Sequence, residues 1–233
     1  MQLAPPPGSR PTPPDLASAL RNTAEELGHQ PAITVLRPGR RDEQGLASLA
    51  QWTAKGAHLL EADLLLEPGD RLALRGPVGW PMAVVALAAW WAGIVVTLDG
   101  DAEVAVVHEG HPPPPGAVDV LWVGDAVDGS PTVAVDGEPW AEAVQAFPDQ
   151  PPTPRATADA PALEHGATAA SHRELIARVG VEQGVLGIDA ATIDTVEGLV
   201  AVAVRPPVTG RATVVLAGTT REAADGERVR VWR

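Results

Sequence analysis

The chain has 233 residues, 45% of them hydrophobic, and a formal charge of −13. That charge argues against broad nucleic-acid contact, which needs clustered lysine and arginine against phosphate, and a chain this long buries enough surface to fold without covalent staples. Cysteine is absent, which excludes disulfides and thiolate metal sites, and Lys55 is the only lysine.

Residues 1–14 are proline-broken and lack the apolar core of a secretory signal, so they read as a disordered leader. A helix capped by Asp15 is expected to Leu27, with Leu16, Ala19, Leu20 and Ala24 on its apolar face. Ala32–Leu36 reads as a short strand. Ser48–Leu60 reads as a helix burying Leu49, Trp52, Ala57 and Leu60. Pro68-Gly69-Asp70 is a turn leading into a strand at Arg71–Leu74. No charge occurs between Gly76 and Leu98, but Pro81 and Gly93 break that run. A helix over Trp80–Ala92 would be about 20 Å long, short of the ~30 Å hydrocarbon core, so no membrane span is expected. Strands then follow at Ile94–Leu98, Glu103–Val107 and Asp119–Val123.

The second half alternates less regularly. Thr132–Val135 reads as a strand, Pro139–Phe147 as a short helix, and residues 148–161 as a proline-rich linker or loop. Ser171 and Glu174 form a capping-box pattern that opens a helix to Val179. Thr192–Val204 reads as a buried helix stopped by Pro206 and Pro207, followed by strands at Ala212–Ala217 and Arg228–Trp232. Near-continuous apolar strands with intervening helices predict an α/β fold, a mostly parallel sheet flanked by helices on both faces. The division expected is a first α/β subdomain over 15–147 and a second, smaller α/β part over 162–233.

Several blocks, in order, resemble the N-terminal region of the adenylate-forming enzymes, the AMP-dependent synthetases and ligases. Ser48-Leu49-Ala50-Gln51-Trp52 is similar to that family's first helical block, and Leu65–Leu74 to its PGDRVAL phrase. Ala86–Asp99 resembles its helix–AG–strand–D block, and Ala170-Ser171-His172-Arg173-Glu174-Leu175 its SHRNL-type helix start. Gly198-Leu199 and Gly210–Leu216 are similar to the next helix and strand. The fit is best to a group of short, uncharacterised bacterial proteins with faint similarity to AMP-binding enzymes. The resemblance implies a loop of Ser, Thr and Gly ending in Pro-Lys-Gly just before the SHR helix, whose backbone amides surround ATP phosphates. Residues 158–168 hold one glycine, no lysine, and the acids Asp159 and Glu164, which would repel a triphosphate. The family's adenine and ribose contacts and its C-terminal domain with a catalytic lysine are expected to be missing, and none of its catalytic residues maps onto this chain.

Other patterns are weak. His108-Glu109-Gly110-His111 has histidines three apart running into Pro112–Pro115, where a zinc-protease pair needs four on a helix, so it reads as a solvated loop. Asp99, Asp101 and Glu103 have the spacing that opens a calcium loop, but Val104 and Gly110 occupy its glycine and glutamate positions. Gly76-Pro77-Val78-Gly79 lacks the third glycine of a dinucleotide loop. Ser171 beside His172 is a helix cap rather than a nucleophile pair. Trp52, Trp90 and Trp91 read as core.

No catalytic, cofactor-binding or metal residue is therefore assigned. The leading expectation is a cytoplasmic, non-catalytic relative that binds a small ligand or an unknown protein partner. The alternatives are residual AMP, ATP or acyl-adenylate binding through Gly166, Thr168 or Ser171, with catalysis completed by another chain, and a self-associating structural module.

Overall fold

A computed structural model describes residues 13–180 and 183–233; the expected leader lies almost wholly outside them. The first helix, α1 (Leu16–Leu27), starts where the Asp15 carboxylate accepts the Ser18 amide at 2.7 Å. Strands β1 (Pro31–Arg37) and β2 (Arg40–Gly45) form an antiparallel hairpin, and α2 (Leu46–His58) runs on into a π-helical turn over Leu59–Asp63. Then come β3 (Arg71–Arg75), α3 (Trp80–Ala92), β4 (Val95–Thr97), β5 (Val104–His108), β6 (Asp119–Val123), β7 (Glu138–Pro139) and α4 (Trp140–Ala143). The remainder comprises β8 (Pro161–His165), β9 (Thr168–Ser171), α5 (His172–Ala177), β10 (Val185–Asp189), α6 (Thr195–Leu199), α7 (Arg205–Thr209), β11 (Thr213–Leu216) and β12 (Val229–Trp232).

The strands form two sheets rather than one. A five-stranded sheet has the order β12-β10-β11-β1-β2, and a seven-stranded sheet the order β7-β6-β5-β3-β4-β8-β9. All pairings are parallel except the β1–β2 and β8–β9 hairpins. Mostly parallel sheets flanked by helices are what the sequence predicts. The division at 148–161 does not separate the sheets, because β1 from the first part pairs with β11 of the second.

Helix α3 explains the arrangement. Every one of its residues is buried. A helix without a polar face needs cover on all sides, and α3 packs on α1 and α2, on β1 of one sheet and on β3 and β4 of the other. Its end is set by Gly93 at φ +79, a left-handed cap. The Trp90 and Trp91 indoles donate to Ala162 O at 2.7 Å and Pro152 O at 2.8 Å, so these buried rings leave no unpaired N–H.

Three local expectations are corrected. Thr132–Val135 is irregular rather than a strand, its backbone being held by Glu109 instead of a ladder partner. Strands β2, β8, β9 and β10 are additional. The helix expected to stop at Pro206 continues through a π-helical turn over Val200–Val204 into α7, where the prolines occupy first-turn positions that need no N–H. Thr213 Oγ1 donates to Ala201 O at 2.6 Å, capping one carbonyl within this rearranged stretch.

Leu65 follows the α2 extension with φ +53 and a side chain 74% exposed. Left-handed backbone costs an L-residue about 1–2 kcal/mol, and an exposed side chain recovers little of it. Leu65→Gly is expected to raise stability by about 0.5–1 kcal/mol after glycine's extra unfolded entropy; urea unfolding measures it, and a loss would show that Leu65 makes a stabilising contact.

Candidate functional site

The connection leaving β3 runs to β4 on one side, whereas β5 continues to β6 on the other, so the strand order reverses between β3 and β5. Crevices at the carboxyl ends of strands beside such a reversal are the usual ligand positions in open α/β sheets. A cavity of about 240 Å³ lies there, walled by Leu74, Val78, Met82, Leu98 and Leu199, with His111 and Thr195 as polar groups. Two glycines permit the close approach that shapes it. A Cβ on Gly76, at φ +153, would lie 2.4 Å from His108 Cβ, and one on Gly198 would lie 2.4 Å from a Val78 methyl. Arg75 closes one wall by donating to Thr97 O at 3.0 Å and Gly100 O at 2.6 Å. Burial lowers its guanidinium pKa, against the pull of Asp99 and Asp101.

Residues 161–171, where the resemblance led to a phosphate loop being expected, form a tight hairpin. Strands β8 and β9 are joined by only Gly166 and Ala167, with Gly166 at φ +59 in the first central position, where a two-residue hairpin turn takes glycine. The Gly166 amide donates to Asp99 Oδ2 at 2.7 Å. Glu164 receives both ends of the Arg71 guanidinium, at 2.7 and 3.1 Å, and Asp159 pairs with Arg173 at 2.8 Å. The two acids expected to repel a triphosphate are each paired with an arginine. Ser171 and Glu174 make the capping box that the sequence predicts.

His108, Glu109 and Asp125 come together, with one ligand atom of each within 4.8 Å of the others; among the described residues this is the one grouping at metal-ligand proximity. The His111 ring stands edge-on to His108 at 5.9 Å, while Asp101 and Glu103 take no part. The three groups are already engaged. Glu109 accepts the amides of Asp125 (2.8 Å), Thr132 (2.6 Å) and Val133 (3.0 Å) together with the Thr132 hydroxyl. Burial pushes its carboxyl pKa up, but those donors outweigh it and hold it below the ordinary range. Asp125 is likewise raised by burial and lowered, on balance, by Arg37 and His108. Arg37 pairs with both Asp125 and Asp42, and Arg40 donates to the Asp125 carbonyl. The cluster is an ion-paired clamp between the β1–β2 hairpin and the loop after β6. Sequence spacing does not reveal it, because Asp125 and Arg37 lie 88 positions apart.

The His172 ring is fully buried, and neither nitrogen has a hydrogen-bond partner. Burial, opposed by the charge of Asp15, pushes its pKa down to about 4.

Mostly parallel sheets enclosing shared helices, with a hairpin leading into the capped α5, give the chain an α/β fold similar to that of solved acyl-CoA synthetases. The crystal structure of the Brucella canis acyl-CoA synthetase matches 92% of this chain and 46% of its own at a TM-score of 0.72 and 15% identity. The Mycobacterium tuberculosis fatty acyl CoA synthetase matches 94% and 48% at 0.69 and 16%. The inhibitor-bound N-terminal domain of FACL13 from Mycobacterium tuberculosis matches 94% and 62% at 0.70 and 16%. At these identities the likeness is one of fold. In sequence, a Mycobacterium tuberculosis protein described as "TIGR03089 family protein" is 35% identical over 97 residues, which is 41% of this chain and 36% of that protein. The chain thus spans about half the length of the solved synthetases and matches about a third of that relative. No family model matches it.

Glu109→Gln should cost about 1–3 kcal/mol by weakening the loop's amide contacts, while a chelator leaves the wild-type midpoint unchanged; a chelator-sensitive thermal midpoint would instead assign an ion to the cluster. His172 generates a pH prediction. Its folded pKa lies below the unfolded value of 6.5, so its contribution is intact above about pH 6.5 and lost as pH falls toward about 4. His172→Leu should flatten that part of the stability–pH curve, by up to about 3 kcal/mol at pH 4. Chemical denaturation at stepped pH measures it, and parallel curves for the two proteins would refute the assignment.

Proposed function

We propose that this chain is a non-catalytic binding module on the N-terminal fold of the adenylate-forming enzymes, taking a small, largely apolar ligand in the crevice beside β3 and β5. The observation that carries the reading is the β8–β9 turn. A phosphate loop works by presenting several free backbone amides and a cation to the phosphates. Here two residues replace it, the Gly166 amide is occupied by Asp99, and the adjoining Arg71 is committed to Glu164. The crevice offers a different chemistry, an apolar wall with His111 and Thr195 as hydrogen-bonding groups and the Arg75 guanidinium already engaged by the Thr97 and Gly100 carbonyls. Such a site suits a neutral ligand with one polar function.

A thermal-shift titration tests this with AMP, ATP and a non-hydrolysable acyl-adenylate analogue, with and without magnesium, beside benzamide as a ring with one polar group. A ligand at a hundred times its Kd stabilises by about 2.7 kcal/mol, roughly 5–10 °C for a domain of this size. The nucleotides are expected to give no saturable shift. Benzamide is expected to give one that disappears in Thr195→Trp, which fills the crevice mouth from an exposed position. A saturable AMP or ATP shift would instead support nucleotide binding completed by another chain. No shift with benzamide would overturn the crevice assignment.

A further inference from the structure

A second groove, of about 430 Å³, lies on the face of the five-stranded sheet turned away from α3. Alternation along the strands fixes which side this is. Ile33, Val35, Leu186, Ile188 and Val215 belong to the main core, whereas Thr34, Val185 and Val214 line the groove. Half-buried Val185 and Ala212 give it an apolar floor, with the buried Thr34 and Val214 beneath. Its rim is rich in guanidinium groups: Arg41, Arg211 and Arg228 outnumber the carboxylates Glu43 and Glu227. Both of those carboxylates are engaged by Arg41, at 2.5 Å for Glu43 and 2.6 Å for Glu227. Arg211 donates to the neutral Gln183 amide oxygen. Arg228 has neither an ion pair nor a hydrogen bond among the described residues. The stem of Arg230 also packs against the rim at Gly184, where a Cβ would lie 2.6 Å from its Cγ.

Two further observations favour an anion here. The carbonyls of Gly184, Arg211 and Ala212 on the groove wall accept from the buried Arg205 guanidinium, at 2.6, 3.1 and 2.8 Å. Three backbone acceptors of the wall are thus already occupied. Arg228 also sits at φ +55, a conformation that costs a non-glycine residue about 1–2 kcal/mol. Glycine would occupy the same turn without that cost, so the strain accompanies the arginine side chain and not the turn. In a chain carrying a net charge of −13, this groove is locally cationic.

We infer that the groove binds a small organic anion, its apolar body against Val185 and Ala212 and its carboxylate or phosphate between Arg211 and Arg228. The site is separate from the crevice beside β3 and does not depend on the crevice being occupied. Isothermal titration with 2-naphthoate, neutral 2-naphthamide and inorganic phosphate tests it, using the whole chain. Saturable naphthoate binding is expected, with both naphthamide and phosphate weaker by about tenfold or more, the factor for losing a charge-assisted contact or the apolar floor. Arg228→Gly separates binding from folding, because it should raise the unfolding midpoint while weakening naphthoate by a similar factor. Arg211→Gln should weaken it without the rise. Amide shifts on naphthoate addition should centre on Thr34, Val185 and Val214. The inference is overturned if wild type shows no saturable naphthoate binding, if naphthamide or phosphate binds equally, or if Arg228→Gly retains full affinity.

Discussion

The architecture depends on the burial of one uncharged helix. All thirteen residues of α3 are shielded from water, and at roughly 25 cal/mol per Å² of apolar surface no arrangement that left one face wet would compete. Elements must surround it, and the chain supplies α1 and α2 beside it with a sheet on either side. Its indoles extend that control to later segments. Trp91 fixes the proline-rich stretch at Pro152, and Trp90 fixes the start of β8 at Ala162. The hairpin standing where a phosphate loop is expected is therefore anchored from the core.

Charge distribution is the second constraint. Residues 76–154 contain eleven acids and no lysine or arginine. Their cations come from other parts of the chain. Arg37 serves Asp125, Lys55 reaches Asp149 at 2.9 Å, and Arg75 lies near Asp99 and Asp101. Surface pairs of this kind contribute little each. Asp125 and Glu109 are less exposed and more fully hydrogen-bonded, and their contacts bring the β1–β2 hairpin against the loop after β6. Clusters of histidine and carboxylate invite a metal reading. Here the lone pairs are taken by amides, a hydroxyl and a guanidinium, so an ion would have to displace contacts that position the chain.

The two proposed sites differ in how they arise. The crevice follows from the strand order and from two glycines, Gly76 and Gly198, that let backbone approach side chain at distances no Cβ tolerates. The groove follows from strand alternation, which turns Thr34, Val185 and Val214 outward, and from the arginines at the sheet's amino-terminal edge. One is apolar with few polar groups and the other cationic over an apolar floor. The ligand chemistries proposed for them differ for that reason.

The apolar runs of α3, β5 and β6, the Asp15 and Ser171 caps and the Gly93 stop were readable from the sequence, because each depends on residues within a few positions. Strand β2, RRDEQG, was not. Its polar residues carry no alternation, and it is a strand only because β1 offers an edge. Strand β10 was hidden by Gly187, against which Trp232 packs in place of a side chain. The β8–β9 hairpin left a fair trace, a glycine between two short apolar runs, but its register needed β4 beside it. The sequence by itself determined the α/β class, the central buried helix and the single glycine and missing lysine of residues 158–168, since these are local patterns of polarity and backbone preference. Only the tertiary structure decided that there are two sheets, that Asp125 meets Arg37, that Asp99 takes the Gly166 amide, and that a crevice and a groove exist. Those are contacts between distant segments, set by packing around α3, and no local preference encodes them.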